Sequence, residues 1–404
     1  MKNINVLTLI IACICFYSCN SKNKRTTENE TLGQEVINVY LNEERITDIG
    51  RYYKYHSFVV LETTDESVIK NVNKIHFSED KIIILDINQS TVFLFDLKGK
   101  YLSKINKLGQ GPDEYLKVND MYFDNTSNHI FLYDGLAGKV LEYDLNGKII
   151  TQNNITKGHE FTKIKGSGEW LVYRGNGFSD YTSNKSYNNL YIYTKNFDLI
   201  KEEIPFNKHL LGRIHSYGLI NNVFSFYDKD TYFLPLLSDV IYKYNYKDQK
   251  IEFCYKINFN GYKDISLNEN MDEKKVELML NKIKSGDIPG YINNFYKDGN
   301  IVSFNFYHKN KKGYLICFYD ENTKKSEVCD FLFDENGLFF TPASYSSDRE
   351  TNLILSIVNG ALFDISKNKN KDNPVIKGIS DKIENGNDAN PVLIFYELNR
   401  HDIH

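Results

Sequence analysis

Two parts of this chain repeat each other at a constant offset of 48 residues, and a duplication of this length limits the fold to a few architectures. The matched positions are Asp86 with Asp134, Asp96 with Asp144, Gly99 with Gly147, and Lys100 with Lys148. No gap separates the first match from the last. Because a unit of this size cannot bury its apolar face alone, successive copies must stack against each other.

Each copy of the repeat contains three β-rich runs joined by short polar links. The first run ends in Asp, the second ends in aromatic-Asp-Leu-x-Gly-Lys, and the third follows at 101–105 or 149–155. The glycine suits a turn with positive φ, and the 30 Tyr and 26 Phe of the chain suit pleated strand surfaces. Units of three or four short strands at a period of about 40 to 50 residues are typical of β-propeller blades. The repeat therefore predicts an all-β propeller.

Weaker copies of the unit continue towards the C-terminus and set the number of blades. They lie at 190–198, 240–244 and 315–320. A last blade would use strands at 353–357 and 361–365, closed by 391–396 and by an N-terminal strand at 58–61. The count predicts a six-bladed propeller, with seven blades as the alternative because some spacings exceed the period.

One segment, near 266–285, departs from the β pattern. Ser266 to Glu269 resembles a capping box, and apolar residues then recur at helical spacing. These residues are Val276, Met279, Leu280 and Ile283. We expect an inserted helix whose apolar stripe packs against the propeller, the alternative being a groove for a partner.

The N-terminus has the form of an export signal. A cationic start at Lys2 precedes an apolar run at 4–17 that is short for a membrane span, and Ser18 then precedes Cys19. We interpret 1–18 as a lipoprotein signal peptide, Cys19 as the lipid attachment site, 19–34 as a polar tether and 35–404 as the propeller. The alternatives are an ordinary signal peptide cut elsewhere or an uncleaved anchor helix.

Beyond the export segment the cysteines are Cys254, Cys317 and Cys329. Cys317 and Cys329 flank the turn at 321–324 symmetrically, so they could face each other across a hairpin and form a disulfide in an exported protein. They could equally be two separate buried thiols.

Charge and motif content exclude several classes of protein. The chain carries 49 basic and 53 acidic residues, a formal net charge of −4, which gives no field for binding nucleic acid. The His residues are scattered, and no His-Glu-x-x-His, Cys-x-x-Cys or Gly-x-Ser-x-Gly motif occurs. Zinc and serine hydrolase chemistry therefore has no support in the sequence.

A compact loop motif follows the first copy of the repeat and consists of Gly109, Gly111, Pro112, Glu114 and Tyr115. The glycines permit tight backbone geometry, the proline fixes φ, and the glutamate can accept backbone hydrogen bonds. We interpret the motif as a structural clasp between blades, since the lysine-serine pair and the helix of a phosphate-binding loop are missing from the sequence.

Carboxylates at equivalent blade positions raise the question of a metal in the channel. Asp86 and Asp134 end equivalent strands and could meet near the axis with Asn119, Asp120 or Glu114. Oxygen ligands of this kind suit calcium. The competing interpretation, which we favour, is that each Asp caps a turn inside its own blade.

The repeat, the 109–115 motif and the late Asn390-Pro391-Val392-Leu393 together resemble the six-bladed β-propeller lipoproteins found in Bacteroides and its relatives. That family is related in architecture to NHL and TolB-like propellers, and most of its members are of unknown function. The resemblance implies a lipid-anchored protein of the bacterial cell envelope. Residues 20–24 lack the acidic run that surface export often uses in this group, so we expect the protein at the outer membrane facing the periplasm, with the cell surface as the alternative. The resemblance implies no catalytic residue.

We expect a binding or scaffolding module rather than an enzyme, because propellers present loops around a channel and no catalytic set is evident. The expected partners are the membrane, through the N-terminal lipid, and an envelope protein or a glycan. Trp170 is a candidate either for stacking on a sugar or for the core. The alternative function is a calcium-dependent hydrolase or lyase with its site at the channel.

Overall fold

The computed structural model describes residues 35–41, 46–164, 166–176, 186–211, 222–262, 267, 269–309, 313–340, 342–343, 346–347, 353–383 and 389–399. The predicted signal peptide at 1–18, Cys19 and the tether at 19–34 lie outside these residues, as does Ser266. These assignments therefore stay predictions.

Six sheets form a six-bladed β-propeller, as the repeat predicts. The chain begins with β1 (Glu35–Val39), β2 (Ile46–Asp48), a 3-10 turn (Ile49–Arg51) and β3 (Tyr53–Val60). Blade 1 contains β4 (Lys74–Phe77), β5 (Lys81–Asp86), β6 (Thr91–Asp96) and β7 (Tyr101–Ile105). Blade 2 contains β8 (Asp120–Asp124), β9 (His129–Asp134), β10 (Lys139–Asp144) and β11 (Ile149–Asn154). Blade 3 contains β12 (Glu160–Lys163), β13 (Trp170–Tyr173), β14 (Asn188–Tyr193) and β15 (Leu199–Pro205), followed by a 3-10 turn (Lys208–Leu210).

The remaining blades have longer strands and take in segments from elsewhere in the chain. Blade 4 contains β16 (Phe224–Tyr227), β17 (Asp230–Phe233), β18 (Val240–Asn245) and β19 (Lys250–Phe259), with β1 added. Blade 5 contains β20 (Gly290–Asp298), β21 (Ile301–His308), β22 (Gly313–Asp320) and β23 (Lys325–Phe333), with β2 added. Blade 6 is ordered β24 (Pro342–Ala343), β26 (Leu353–Val358), β27 (Val392–Leu398) and β3, and β25 (Ser346–Ser347) pairs with β4.

The duplicated Asp-Leu-x-Gly-Lys sequence makes the same turn in blades 1 and 2. Asp96 accepts hydrogen bonds on Oδ1 from the amides of Lys98 and Lys100, both at 2.9 Å. Asp144 accepts the equivalent pair at 2.9 Å in blade 2. Gly99 has a φ of +89° and Gly147 a φ of +75°, the left-handed region that a residue with a Cβ rarely adopts. The repeat in sequence is therefore a repeat in turn geometry.

The N-terminal segment lies along the outer edges of three successive blades. β1 pairs in parallel with β19 of blade 4, and β2 pairs in parallel with β23 of blade 5. β3 then pairs antiparallel with β27 as the outermost strand of blade 6. The ring is thus closed by one strand from each end of the described chain, which confirms the expected N-terminal contribution to closure.

Aromatic side chains fill the spaces between blades, and Trp170 is one of them. Trp170 is 2% exposed, and its ring stacks on Phe161 and Phe197 at centroid distances of 5.3 and 5.0 Å. A ring enclosed on both faces is not available to a sugar. Of the two roles considered for Trp170, the structure shows core packing.

The inserted helix is present but begins later than the sequence predicts. Helix α1 (Glu273–Ser285) is capped by Asp272, whose side chain accepts a hydrogen bond from the Lys275 amide at 2.9 Å. Its buried residues Val276, Leu280 and Ile283 belong to an apolar cluster with Phe206, Leu210 and Tyr291. The apolar stripe therefore packs against the propeller, and Asp272 supplies the N-cap that was assigned to Ser266.

The strand predicted at 361–365 is wrong, because these residues lie in helix α2 (Gly360–Lys369). The Asn359 side chain caps this helix through the Leu362 amide, and Phe363 and Ser366 are buried at helical spacing. Helix α3 (Pro374–Ser380) follows and is capped by Asn373. The strand missing from the prediction is β24, so the sixth blade is complete without 361–365.

Cys317 and Cys329 do not form the hairpin disulfide that was one of two alternatives. In the β22–β23 pairing Cys317 lies opposite Val328, and Ile316 lies opposite Cys329. Residues one position out of register point to opposite faces of a sheet, and the two thiols accordingly belong to different apolar clusters. Neither thiol is part of a disulfide, and both are buried.

Candidate functional site

Asp86 binds amides of its own blade. Its Oδ2 accepts hydrogen bonds from the amides of Lys70 and Asn71 at 2.7 and 3.1 Å, and its Oδ1 accepts one from the Gln89 amide at 3.1 Å. The carboxylate is fully buried. It ties the loop that enters the blade to the turn that follows β5, which is a structural role.

Asp134 makes the equivalent bonds in blade 2. Its Oδ2 accepts from the amides of Leu116 and Lys117 at 2.9 and 3.4 Å, and its Oδ1 accepts from the Ala137 amide at 2.9 Å. The two equivalent aspartates thus use their oxygens on local amides. Over the residues that the structure describes, no three His, Cys, Asp or Glu side chains are grouped so that they could hold a metal ion. The calcium site considered from the sequence is therefore not formed by Asp86 and Asp134.

Asn119 and Glu114 also make local bonds. Asn119 Oδ1 accepts a hydrogen bond from the Gly135 amide at 3.0 Å. Glu114 Oε2 accepts one from the Gly111 amide at 2.8 Å, and a Cβ added to Gly109 would lie 1.8 Å from that oxygen. The glutamate therefore occupies the space that the missing side chain of Gly109 leaves.

The other members of the 109–115 motif join blade 1 to the start of blade 2. Tyr115 is fully buried, and its hydroxyl donates to the Ser90 carbonyl at 2.9 Å and accepts from the Lys107 amide at 2.9 Å. Pro112 is exposed at the tip of the loop. These contacts are those of a clasp.

Asp120, at the start of β8, is the one metal candidate from the sequence that contacts neighbouring blades. Its two oxygens lie 2.7 and 2.8 Å from Nζ of Lys74 in blade 1. They also accept hydrogen bonds from the amides of Met121 and Phe161 at 2.7 and 2.8 Å. Phe161 belongs to blade 3, so Asp120 links three inner strands. Burial raises the pKa of Asp120 and Lys74 opposes that rise.

Glu160, at the start of β12, stands beside this ion pair and was not found from the sequence. Its Oε2 accepts a hydrogen bond from the Val223 amide of blade 4 at 3.0 Å. Burial, and then the negative charge of Asp120, raise the pKa of Glu160 to about 8. The side chain is protonated at neutral pH and offers an O–H donor.

Lys74, Asp120 and Glu160 occupy equivalent places in their blades. Lys74 pairs with Leu85, Asp120 with Tyr133, and Glu160 with Tyr173, each at the first position of its inner strand. The 48-residue offset does not reveal this, because it relates Leu85 to Tyr133 but not Lys74 to Asp120. The hairpins that join β4 to β5 and β8 to β9 differ in length, so only strand pairing shows the equivalence.

A cavity of about 50 Å³ lies beside Glu160 between blades 3, 4 and 5; we call it the inner cavity. Its polar lining comes from His159, Glu160, Asn222 and Asn293, and Val223, Leu234 and Ile292 contribute apolar walls. Glu160 keeps part of its surface accessible, so the cavity is not sealed.

Two amide groups in the inner cavity have atoms without a hydrogen-bond partner among the described residues. They are Nδ2 of Asn222 and Oδ1 of Asn293. The residues are 9% and 6% exposed. Nδ2 of Asn293 donates to the Tyr291 carbonyl at 2.8 Å, which fixes the direction of that amide. Most buried polar groups in proteins are paired. The unpaired donor of Asn222 and the unpaired acceptor of Asn293 can therefore bind a ligand in the cavity.

The ring of His159 completes the polar wall in a neutral state. Burial, and then the charge of Lys117, lower the pKa of His159 to about 4. The ring lies against Gly175, where an added Cβ would come within 2.2 Å of Cδ2. With His159 and Glu160 neutral, and Asp120 paired with Lys74, the walls of the cavity carry no uncompensated charge at pH 7. The site suits a neutral polar group.

No helix in the described ranges combines the length and the apolar character needed to cross a membrane.

Solved structures allow the fold of this chain to be compared with those of other proteins. A Bacteroides fragilis protein inferred to be exported superposes with a TM-score of 0.68 at 17% identity, covering 90% of this chain and 100% of that chain. A member of the DUF4221 family from Bacteroides vulgatus gives 0.48 at 10% identity, covering 86% and 97%. Virginiamycin B lyase from Staphylococcus aureus gives 0.40 at 12% identity, covering 75% and 81%. At such identities only the first likeness is informative, and it shows a shared fold.

Sequence comparison defines the family. No curated protein matches the chain significantly. The model of one family, described as a domain of unknown function (DUF4934), matches residues 34–397 and so spans nearly all of the propeller. The chain therefore belongs to the DUF4934 family.

Proposed function

We propose that this chain is an exported, lipid-anchored propeller of the bacterial cell envelope that binds a ligand in the inner cavity. The observation that carries the proposal is the pair of unpartnered amide atoms of Asn222 and Asn293 in one cavity. Leaving such a group buried and unpaired costs about 1–3 kcal/mol. A bound group that pairs both atoms would offset that cost.

The position of the inner cavity fits a binding module. It lies between the starts of inner strands of three blades, where a propeller brings together loops from distant parts of the chain. The walls are held rigidly by hydrogen bonds such as that from the Leu236 amide to the Tyr173 hydroxyl at 2.9 Å. A preformed site of this kind loses little conformational entropy on binding.

Binding is tested by retention from envelope extracts. The full chain in detergent is immobilised as wild type, as Asn222→Leu, as Asn293→Leu, and as the control Asn258→Leu on the exposed side of β19. We expect glycan or protein material that wild type and Asn258→Leu retain and both cavity variants lose, identified by mass spectrometry. Equal retention by all four proteins would exclude the inner cavity as the binding site. Cleavage of the retained material by wild type would indicate an enzyme instead.

Export and anchoring are supported by the predicted signal at 1–18 and Cys19, and by the inferred export of the similar Bacteroides fragilis protein. The test is growth with a labelled fatty acid. Wild type should take up the label and sediment with membranes, whereas Cys19→Ala should do neither. Label in Cys19→Ala would show that the attachment site lies elsewhere.

A further inference from the structure

We infer that the inner cavity recognises an acetamido group, so that the ligand is an N-acetylated amino sugar. This inference rests on the proposed function, because it names the ligand of the same cavity. It follows from three properties of the cavity: its hydrogen-bonding groups, its apolar wall and its size.

The hydrogen-bonding groups match an amide. Asn222 Nδ2 is a donor that fits a carbonyl oxygen, and Asn293 Oδ1 is an acceptor that fits an N–H. The protonated carboxyl of Glu160 offers a second donor to the carbonyl. A carboxylate ligand has only acceptors and would leave Asn293 facing another oxygen. An ammonium ligand has only donors and would leave Asn222 unpaired.

The apolar wall favours an acetylated amide over a primary amide. Val223, Leu234 and Ile292 line the cavity beside the two asparagines. A methyl group packed against these side chains is removed from water, which favours binding of the acetylated amide. A primary amide has no methyl group to place there.

The size of the cavity limits what enters it. A water-sized group needs about 10–15 Å³ on this measure, so a cavity of about 50 Å³ holds a group of a few heavy atoms. An acetamido group has four. A sugar ring is too large for this volume and would stay outside the cavity.

The test compares three trisaccharides on the full-length protein in detergent by calorimetry: N-acetylglucosamine trimer, its de-N-acetylated form and a glucose trimer. We expect the acetylated trimer to bind at least tenfold more tightly than the other two. Asn222→Leu and Asn293→Leu should each lose at least that factor, whereas Asn258→Leu should bind as wild type does. A glutamine-containing peptide tests a peptide amide as the ligand.

The outcomes separate this inference from the proposed function. Equal affinity for the acetylated and de-N-acetylated trimers overturns the acetamido inference on wild-type protein alone, whatever the variants do. Tighter binding of the glutamine peptide overturns the sugar in favour of a peptide. If the trimers fail while retention from envelope extracts still requires Asn222 and Asn293, the proposed function stands and only the inference falls.

Discussion

Asn222 buries its side-chain Nδ2 beside the inner cavity without a hydrogen-bond partner among the described residues. Replacing it with leucine removes an unpaired polar group and keeps a side chain of similar size. We expect Asn222→Leu to raise the free energy of unfolding by about 1 kcal/mol in the absence of ligand, while ligand retention is lost. Urea unfolding measures the change. A clear loss of stability would mean that Asn222 serves the fold.

Glu160 should make stability depend on pH in a defined window. Its pKa is about 8 in the folded protein against an ordinary value of 4.5, so the folded state binds the proton more tightly. The free energy of unfolding therefore falls as pH rises towards about 8. The pKa of His159 is lowered in the folded protein, so this residue makes the free energy of unfolding rise with pH. Its effect is confined to pH values below its ordinary pKa of 6.5.

The interval from pH 6.5 to 8 consequently reports on Glu160. Denaturant unfolding at both ends should show wild type losing stability across the interval, and Glu160→Gln losing less. The neighbouring Asp120 stays paired with Lys74 throughout. Identical slopes in the two proteins would contradict a raised pKa at Glu160.

Lys74 neutralises a carboxylate that is almost completely enclosed. The side chains of Lys74 and Asp120 are 13% and 3% exposed. Lys74→Met should lower the free energy of unfolding by about 3–5 kcal/mol, because it leaves the charge of Asp120 buried and unpaired. Adding Asp120→Leu should recover most of the loss. The control is Lys163→Met, which breaks the more exposed pair with Asp124 and should cost less.

The roles of candidate-site residues could be predicted only for those that lie within the 48-residue repeat. The local role of Asp86 and Asp134 follows from their equivalence in sequence, and so does the turn at Gly99 and Gly147. Glu160, Asn222 and Asn293 lie in diverged blades and meet only because the ring brings three inner strands together. The spacing of these three residues in the sequence does not predict that they lie close together.

At the scale of elements, two equivalent turns differ in their surroundings. A Cβ added to Gly99 would lie 2.1 Å from the Val60 carbonyl oxygen, whereas one added to Gly147 meets nothing closer than 3.6 Å. Both alanine variants incur the strain of a positive φ, about 1–3 kcal/mol. We expect Gly99→Ala to be the more destabilising, as measured by thermal unfolding. Equal losses of stability in the two variants would show that strand β3 shifts to accommodate the new methyl group.

Strands and helices could be predicted where the hydrophobic pattern and the length of the segment indicate the same type of element. The strands of blades 1 and 2 follow from the repeat, and the helical stripe of α1 follows from its spacing. The segment 361–365 is short and apolar, so it fits a strand as well as a helix, and the deciding cap at Asn359 is a single residue. Strands β1 and β2 are short and pair with blades more than 200 residues away, so no local signal marks them.

At the scale of the whole molecule, the N-terminal segment should matter for stability although it lies at the outer edge. Ile37 in β1 is fully buried, whereas its neighbour Val36 is 46% exposed. We expect Ile37→Ala to cost about 2–5 kcal/mol, as in a protein core, and Val36→Ala to cost much less. Chemical unfolding of both variants is the measurement. Similar small effects would mean that β1 can detach without loss to the ring.

Closure of the ring by β3 and β27 has a consequence for the order of events during synthesis. Val60 is synthesised more than 300 residues before its partner Val392, so the sixth sheet cannot form until Val392 has been made. Until then five blades form an open arc with uncovered apolar edges, a species prone to aggregation. Contacts of such high sequence separation also slow folding. A protein that crosses a membrane before it folds would complete this step only after transport, where a chaperone could shield the open edge.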